Sequence, residues 1–422
     1  MPCRLSFFYY NGMYNGMKRL LQINVTANQG SHGRIAENIG AAAMARGWES
    51  YIAYGRGGDG DVHSASKLIH VSSTLDSYLH AAATRLADAH GLASAAATRR
   101  LVQTIEEINP DIVHLHNIHG YYLNYPILFR ALKEHGCPVV WTLHDCWPLT
   151  GHCAHFDAAG CDRWKSHCHD CPELCSYPKS LVDASRRNFD IKRRCFTSIE
   201  NQLTLVPVSD WLADIVGQSF LQHCRVHRIY NGIDTEAFRP IKPVIDNTSA
   251  NSDSRRIVLG VASVWTRRKG LDDLLALSDI LPSDYRLVIV GLSRSQLRSL
   301  PASVEGIGRV EDIERLAGLY SAASVFVNPT YEEAFGLTNV EAMACGTPVV
   351  TYNSGGCSEV VTPAVGRVVK KGDVAGLLRA IEDIACDDNR VLCGNCREYA
   401  VERFDSRRCS ADYLGLYESL LS

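Results

Sequence analysis

The sequence predicts an α/β protein of two doubly wound domains that face each other across a cleft. Three observations lead there. Short apolar runs alternate with helical stretches along most of the chain. The apolar runs are continuous rather than alternating with polar residues, as strands covered on both faces of a parallel sheet must be. Near the middle the pattern lapses once and then restarts, and a chain of 422 residues is too long for one ordinary core at about 100 to 200 residues per domain.

In order, LLQINV (20–25) reads as a first strand, NQGSHG (28–33) as a turn and RIAENIGAAAMARG (34–47) as a helix. ESYIAYG, DIVHLHN, PVVWTLHD and LTLVPVS follow as strands, with YPILFRALKEHG as an intervening helix. KPVIDNTSANSDSRR (242–256) loses all periodicity and gains turn-forming residues, which marks a linker. Beyond it RIVLGVAS, YRLVIVG, SVFVNPT, PVVTYN and GRVVK are strands, and LDDLLALSDIL and EDIERLAGLYSAA are helices. The expected division is a Rossmann-like domain over 17–241 and a second over 242–404. The helical tail 405–422 is expected to pack back on the first domain.

Net charge is −3 with 21% charged residues, which excludes a global pull toward nucleic acid and leaves any basic face local. No run approaches the roughly 18 apolar residues of a membrane span. LSFFYY near the start is too short for a signal-peptide core and has no small-residue cleavage site, so a cytoplasmic protein is expected, with Met17 as the natural start or residues 1–16 as a disordered leader. Sixteen cysteines then read as thiols or metal ligands rather than disulfides.

The most informative stretch is EEAFGLTNVEAMACGTPVV (332–350), which holds Glu333 and Glu341 on either side of a Phe-Gly turn. Thr338 and Glu341 have capping-box spacing, so Glu341 either caps a helix, lines a site, or does both. Glu333 precedes the helix and caps nothing. Gly30 and Gly33 form a GxxG without the full dinucleotide fingerprint, which argues against a nicotinamide cofactor and leaves a tight turn or a close approach to substrate. His114, His116 and His144 each sit toward the end of a strand, where cleft residues collect.

These motifs resemble those of the family 4 glycosyltransferases, retaining enzymes of the two-domain GT-B fold, from about Lys18 to the C-terminus. The resemblance rests on Glu333, seven residues, then Glu341 within EAFGLTNVEAMACGTPVV, on NSGGCSEVV after it, and on NGID (231–234), RKG (268–270) and GRV (308–310). It implies a nucleotide diphosphate sugar as donor, with Glu333, Lys269 and His144 at the reacting centre. Arg268, Phe335, Gly336, Leu337, Thr338, Glu341 and Arg309 would hold the donor, and Gly30, Gly33, His116 and Asn231 would line the cleft. It also implies a front-face reaction needing no metal for chemistry. The family's arginine six residues before the lysine is Ser263 here, so Arg267 or Arg268 would have to supply that charge.

A second feature is GHCAHFDAAGCDRWKSHCHDCPELC, inside an insertion spanning 146–175. Cys153, Cys161, Cys168 and Cys171 read as ligands of a structural zinc ion, with free or redox-active thiols and an iron–sulfur cluster as alternatives. Cys393 and Cys396 form a CxxC with no second pair nearby and read as coincidence. SRRNFDIKRRC (185–195) places five basic residues on one helix, either as a solvated face or as a face for anionic lipid. The expected activity is sugar transfer to a glycan, lipid-linked, in bacterial polysaccharide synthesis, with peripheral contact to the inner membrane. A nucleotide-sugar epimerase or hydrolase, and a zinc-dependent interaction protein with an inactive cleft, are the rivals.

Overall fold

A computed structural model describes residues 16–57, 62–241, 254–386 and 389–422. All of the expected leader but its last residue, and most of the expected linker, lie outside the described residues. In the first half β1 (Arg19–Thr26), α1 (Gly30–Ala45), β2 (Glu49–Arg56), β3 (Lys67–His70), α2 (Thr74–Ala87), α3 (Ala95–Ile108), β4 (Ile112–Leu115), α4 (Tyr125–His135) and β5 (Val139–Leu143) follow one another. After the cysteine-rich segment come α5 (Ser185–Thr197), β6 (Leu203–Pro207), α6 (Asp210–Gly217) and β7 (Arg225–Val226). All seven strands are parallel in the order β3-β2-β1-β4-β5-β6-β7.

The second half repeats the plan. It runs β8 (Arg256–Val261), α7 (Leu271–Ser278), β9 (Tyr285–Val290), α8 (Arg294–Arg298), β10 (Val304–Ile307), α9 (Ile313–Ala322) and β11 (Val325–Asn328). Then come α10 (Leu337–Ala344), β12 (Val349–Tyr352), β13 (Gly366–Val369), α11 (Val374–Cys386), α12 (Asn389–Phe404) and α13 (Ser406–Leu421). Its parallel sheet has the order β10-β9-β8-β11-β12-β13. Strand order reverses between β1 and β4 and again between β8 and β11, and such switch points open a crevice at the carboxyl ends of the strands.

The inner strands are deeply covered; every residue of β4, β5, β6, β11 and β12 is buried. Elements with little hydrophobic period, such as β3, β7, β10 and α8, were not legible as elements in the sequence. The turn assigned to NQGSHG is shorter than expected, because α1 begins at Gly30 and takes Gly33 into its first turn.

α13 returns to the first sheet. Tyr413, Leu414, Leu416 and Tyr417 are buried with Ile35, Ile39 and Ala43 of α1. Leu414 and Leu416 contribute about 1.5–3 kcal/mol each. The two tyrosine hydroxyls keep partners inside, Tyr413 with Thr142 Oγ1 at 2.9 Å and Tyr417 with His114 Nδ1 at 2.6 Å.

Candidate active site

A cavity of about 600 Å³ lies between the two sheets, walled by loops that leave the carboxyl ends of β1, β4, β5, β8, β9 and β11. On the second sheet, the loop after β11 carries Glu333 and runs into α10. Lys269, from a 3-10 turn (Arg267–Lys269) beyond β8, pairs its ammonium with the Glu333 carboxylate. The two loops are also tied through backbone: Tyr331 N–H donates to Arg268 O at 2.8 Å, and Arg268 Nη1 donates to Glu332 O at 2.5 Å. Burial raises the Glu333 pKa, but the charges of Lys269 and Arg268 outweigh it and hold the carboxyl below its usual range.

Behind Glu333 the NSGG turn presses on its backbone. Gly356 N–H donates to Glu333 O at 3.0 Å. Gly355 has φ +53°, and a Cβ there would stand 2.1 Å from Glu333 O, so only glycine admits this approach. Gly336, at φ +87°, is the N-cap of α10, and it lines the cavity with the first residues of the helix, Leu337 and Thr338, whose N–H groups have no partner within the helix.

The capping-box reading of Glu341 is overturned. Thr338 lies inside α10, the cap makes no side-chain hydrogen bond, and Glu341 lines the cavity while accepting from Tyr320 Oη at 3.0 Å. Burial raises its pKa. The positive φ of Gly336 starts the helix earlier than the Thr-x-x-Glu spacing suggests.

Across the cleft, His144 follows β5 and is tied inward by a polar chain. Gln22 Nε2 donates to Ala36 O at 2.7 Å, which leaves Gln22 Oε1 to accept from His116 Nε2 at 3.1 Å. His116 Nδ1 then accepts from His144 Nε2 at 3.3 Å, so His144 Nδ1 is the unprotonated nitrogen. Burial, then the neighbouring His116, keep the His144 pKa well below its usual value. A neutral imidazole of this tautomer accepts a hydrogen bond from a hydroxyl.

The cavity wall brings together Glu333, Lys269, His144, Arg268, Arg309, Glu341, Gly30, Asn231 and the stretch from Phe335 to Thr338. Asn231 Oδ1 has no hydrogen-bond partner among the described residues. Three expected cleft residues are elsewhere. His114 is wholly buried, its ring nitrogens on Thr142 Oγ1 at 2.8 Å and Tyr417 Oη at 2.6 Å. His116 is buried behind His144. Gly33 packs on the end of β1, where a Cβ would meet Thr26 Oγ1 at 2.9 Å. Ser263 is on the wall with Arg268, while Arg267 is not, so of the two candidate arginines only Arg268 reaches the cleft.

Sequence reasoning missed His32, Asn117, Asp145 and His155, which share the wall. Asp145 had a signal, since it directly follows His144 in WTLHD. Its Oδ2 lies 2.9 Å from His119 Nε2 and its Oδ1 accepts from Trp147 N–H at 2.9 Å. Burial would raise its pKa, yet the His119 charge and hydrogen bond hold it well below the carboxylate range. His155 had none, because it sits in the cysteine segment and reaches the cleft only through the fold.

That segment joins the two sheets. Glu332, 1% exposed, accepts from Phe156 N–H at 2.8 Å and from Ala158 N–H at 3.0 Å, and Lys371 Nζ lies 2.8 Å from Asp157 Oδ2. Glu359 similarly accepts from the first N–H groups of α6, those of Asp210 and Trp211, at 2.8 and 2.5 Å. Helix-end donors favour a carboxylate there.

Cys153, Cys161, Cys168 and Cys171 line one small void with His152 and His169, and none of the four is in a disulfide. Gly151 N–H donates to Cys168 Sγ at 3.2 Å. A hydrogen bond from the Cys153 thiol lowers the pKa of Cys171 and raises that of Cys153. His152 bonds Asp88 Oδ1 through Nδ1 at 2.6 Å, and its buried Nε2 has no partner among the described residues. The donors fit zinc in kind. Among the described residues no three of them are gathered into a set that could hold a metal as they stand. Lys192, one of the five basic residues expected on the surface of α5, is instead buried, donating to Trp147 O at 2.6 Å and lying 3.5 Å from its ring centre. Burial brings its pKa down to about 7.

Residues 32–237 match the sequence family described as Glycosyltransferase Family 4, and residues 245–403 match Glycosyl transferases group 1. The chain is 25% identical over 374 residues to the putative colanic acid biosynthesis glycosyl transferase WcaC of Escherichia coli K12, covering 85% of this chain and 89% of that one. In fold it is similar to sucrose-phosphate synthase from Thermosynechococcus elongatus, with TM-score 0.70, 21% identity, and 96% and 99% of the two chains covered. It is also similar to Anabaena HepE in complex with UDP, with TM-score 0.66, 19% identity, and 96% and 100% covered.

Proposed function

The chain belongs to the family 4 glycosyltransferases of the two-domain GT-B fold, and from that premise we propose that it transfers a sugar, with retention, from a nucleotide diphosphate to a lipid-linked glycan. The observation that carries this reading is the Lys269–Glu333 pair beside the N-terminus of α10, facing His144 across the cleft. A departing nucleotide diphosphate gains negative charge. Lys269, Arg268 and the N–H groups of Leu337 and Thr338 would stabilise it. Glu333 orients Lys269 and meets the sugar, Glu341 meets the ribose, and His144 accepts from a sugar hydroxyl through Nδ1. The acceptor's proton passes to the donor's own phosphate oxygen, so no protein nucleophile is required.

Screening UDP-, GDP- and ADP-sugars for binding and slow hydrolysis tests the reading; binding of none would defeat it. Product analysis with an acceptor separates transfer from epimerisation or hydrolysis. Turnover should persist in EDTA too brief or dilute to strip structural zinc, because fixed cations serve the leaving group. An obligatory requirement for added magnesium would remove that role from Lys269 and the helix end.

Zinc, held by Cys153, Cys161, Cys168 and Cys171, would clamp the segment that links Glu332 to the first sheet. Protein purified without added zinc should then return about one equivalent per chain. Cys168→Ser should lower both metal content and melting temperature, since binding there is folding free energy. Metal-free wild-type protein with unchanged stability in Cys168→Ser would leave these residues as thiols. Among the described residues no helix is long and apolar enough to cross a membrane. The proposed location is the cytoplasm, at the inner face of the membrane.

A further inference from the structure

α2 presents its apolar side outward. His80 and Thr84 are buried against the domain, with His80 Nδ1 2.8 Å from Ser94 Oγ and Nε2 accepting from Gly91 N–H at 3.0 Å. Leu75, Tyr78, Leu79 and Leu86 are between 62% and 71% exposed. Their spacing of three, four and eleven from Leu75 places them on one helical face. An ordinary surface helix has the opposite polarity, so this face lacks a partner among the described residues.

The patch continues into the segment before α5. Leu181 is 70% exposed, Val182 is exposed beside it, and Leu181 N–H donates to Arg85 O at 2.8 Å, which holds both against the last turn of α2. The fringe is basic. Arg85, Arg186 and Arg187 are exposed, and Arg187 Nη2 donates to Ala87 O at 3.1 Å. Of the nearby acids, Asp88 is buried with His152, and Asp183, exposed within this segment, has both carboxylate oxygens on backbone N–H groups, those of Cys171 and Ser185. Asp76, on the first turn of α2, is half-buried.

We propose that α2 together with residues 181–187 seats the protein on an anionic lipid bilayer. The leucines and Tyr78 enter the boundary between headgroups and acyl chains, and Arg85, Arg186 and Arg187 meet lipid phosphates. Charge selects the bilayer over a second copy of the chain. A two-fold contact sets a patch against itself and would bring the arginine fringes of the two copies together, whereas anionic headgroups neutralise them. This inference is independent of the chemistry assigned to the cleft and tells how a lipid-linked acceptor would be met.

The test is sedimentation of the full chain with phosphatidylcholine vesicles, with and without phosphatidylglycerol. The wild type should bind the anionic vesicles, and raised salt should weaken the binding. The double substitution Leu75→Glu and Leu79→Glu should reduce partitioning at least about tenfold, because each removes a buried apolar contact and adds repulsion. Arg186→Ala should reduce it about fivefold. Both variants should keep the wild-type melting temperature, since the changed side chains are exposed. Wild-type protein that stays in solution with anionic vesicles, or a double variant that binds as well as wild type, would overturn the proposal. So would a wild-type dimer that the double substitution converts to a monomer while vesicle binding is absent.

Discussion

Glu333→Gln should lower turnover by about 10²–10³-fold while leaving the fold intact. Glutamine keeps the volume and the polar end but removes the charge that orients Lys269. The side chain is about a quarter exposed, so its loss opens no core cavity. Circular dichroism and thermal melting establish that the fold survives, and single-turnover rates measure the chemistry. The pH profile adds a separate readout. Glu333 has a depressed pKa, so its charged form and the ion pair's stabilisation are present above the ordinary glutamate value and are lost as pH falls through the lower, folded value. The wild-type acid limb should therefore lie below the ordinary glutamate range. Near-wild-type turnover in purified Glu333→Gln would remove the central assignment.

Gly355→Val should be nearly as damaging, and for a different reason. The residue holds φ +53°, and an added Cβ would stand 2.1 Å from the carbonyl oxygen of Glu333, a backbone atom that cannot swing aside. The NSGG turn or the glutamate loop must move, at a cost of about 1–3 kcal/mol from overpacking in addition to the backbone strain. A melting point lower by several degrees is expected, with a fall in turnover larger than the stability loss explains. Gly355→Asn separates the two causes. Asparagine tolerates positive φ, yet it carries the same Cβ, so it should fail as valine does. Full activity in Gly355→Asn would show that backbone conformation, and not proximity to Glu333, requires the glycine.

Much of this was legible beforehand because the relevant signals are local. The buried strands announce themselves as unbroken apolar runs, and the doubled alternation of strand and helix is enough to expect two doubly wound domains. The Glu333–Glu341 spacing, RKG and WTLHD are contiguous, so they could be read as motifs. Thr338 and Glu341 show the limit of that reading: their spacing matches a cap, but the conformation at Gly336 begins the helix before them. Lys192 shows it again. Nothing in SRRNFDIKRRC separates it from its arginine neighbours, and only Trp147, brought in from 45 residues away, provides the face that covers it.

The sequence by itself determined the class of fold, the two sheets and the residue types available for phosphate and sugar. The tertiary structure alone decided which of them meet. It set His144 on the cleft and His116 behind it, added Asp145 and His155 to the wall, and placed the cysteine segment against Glu332. It also turned the apolar side of α2 to the outside. The physical reason is range. Hydrophobic period and turn chemistry act over a few neighbouring residues and are written in their order, whereas burial, ion pairing and pKa depend on what another part of the chain brings within a few ångströms.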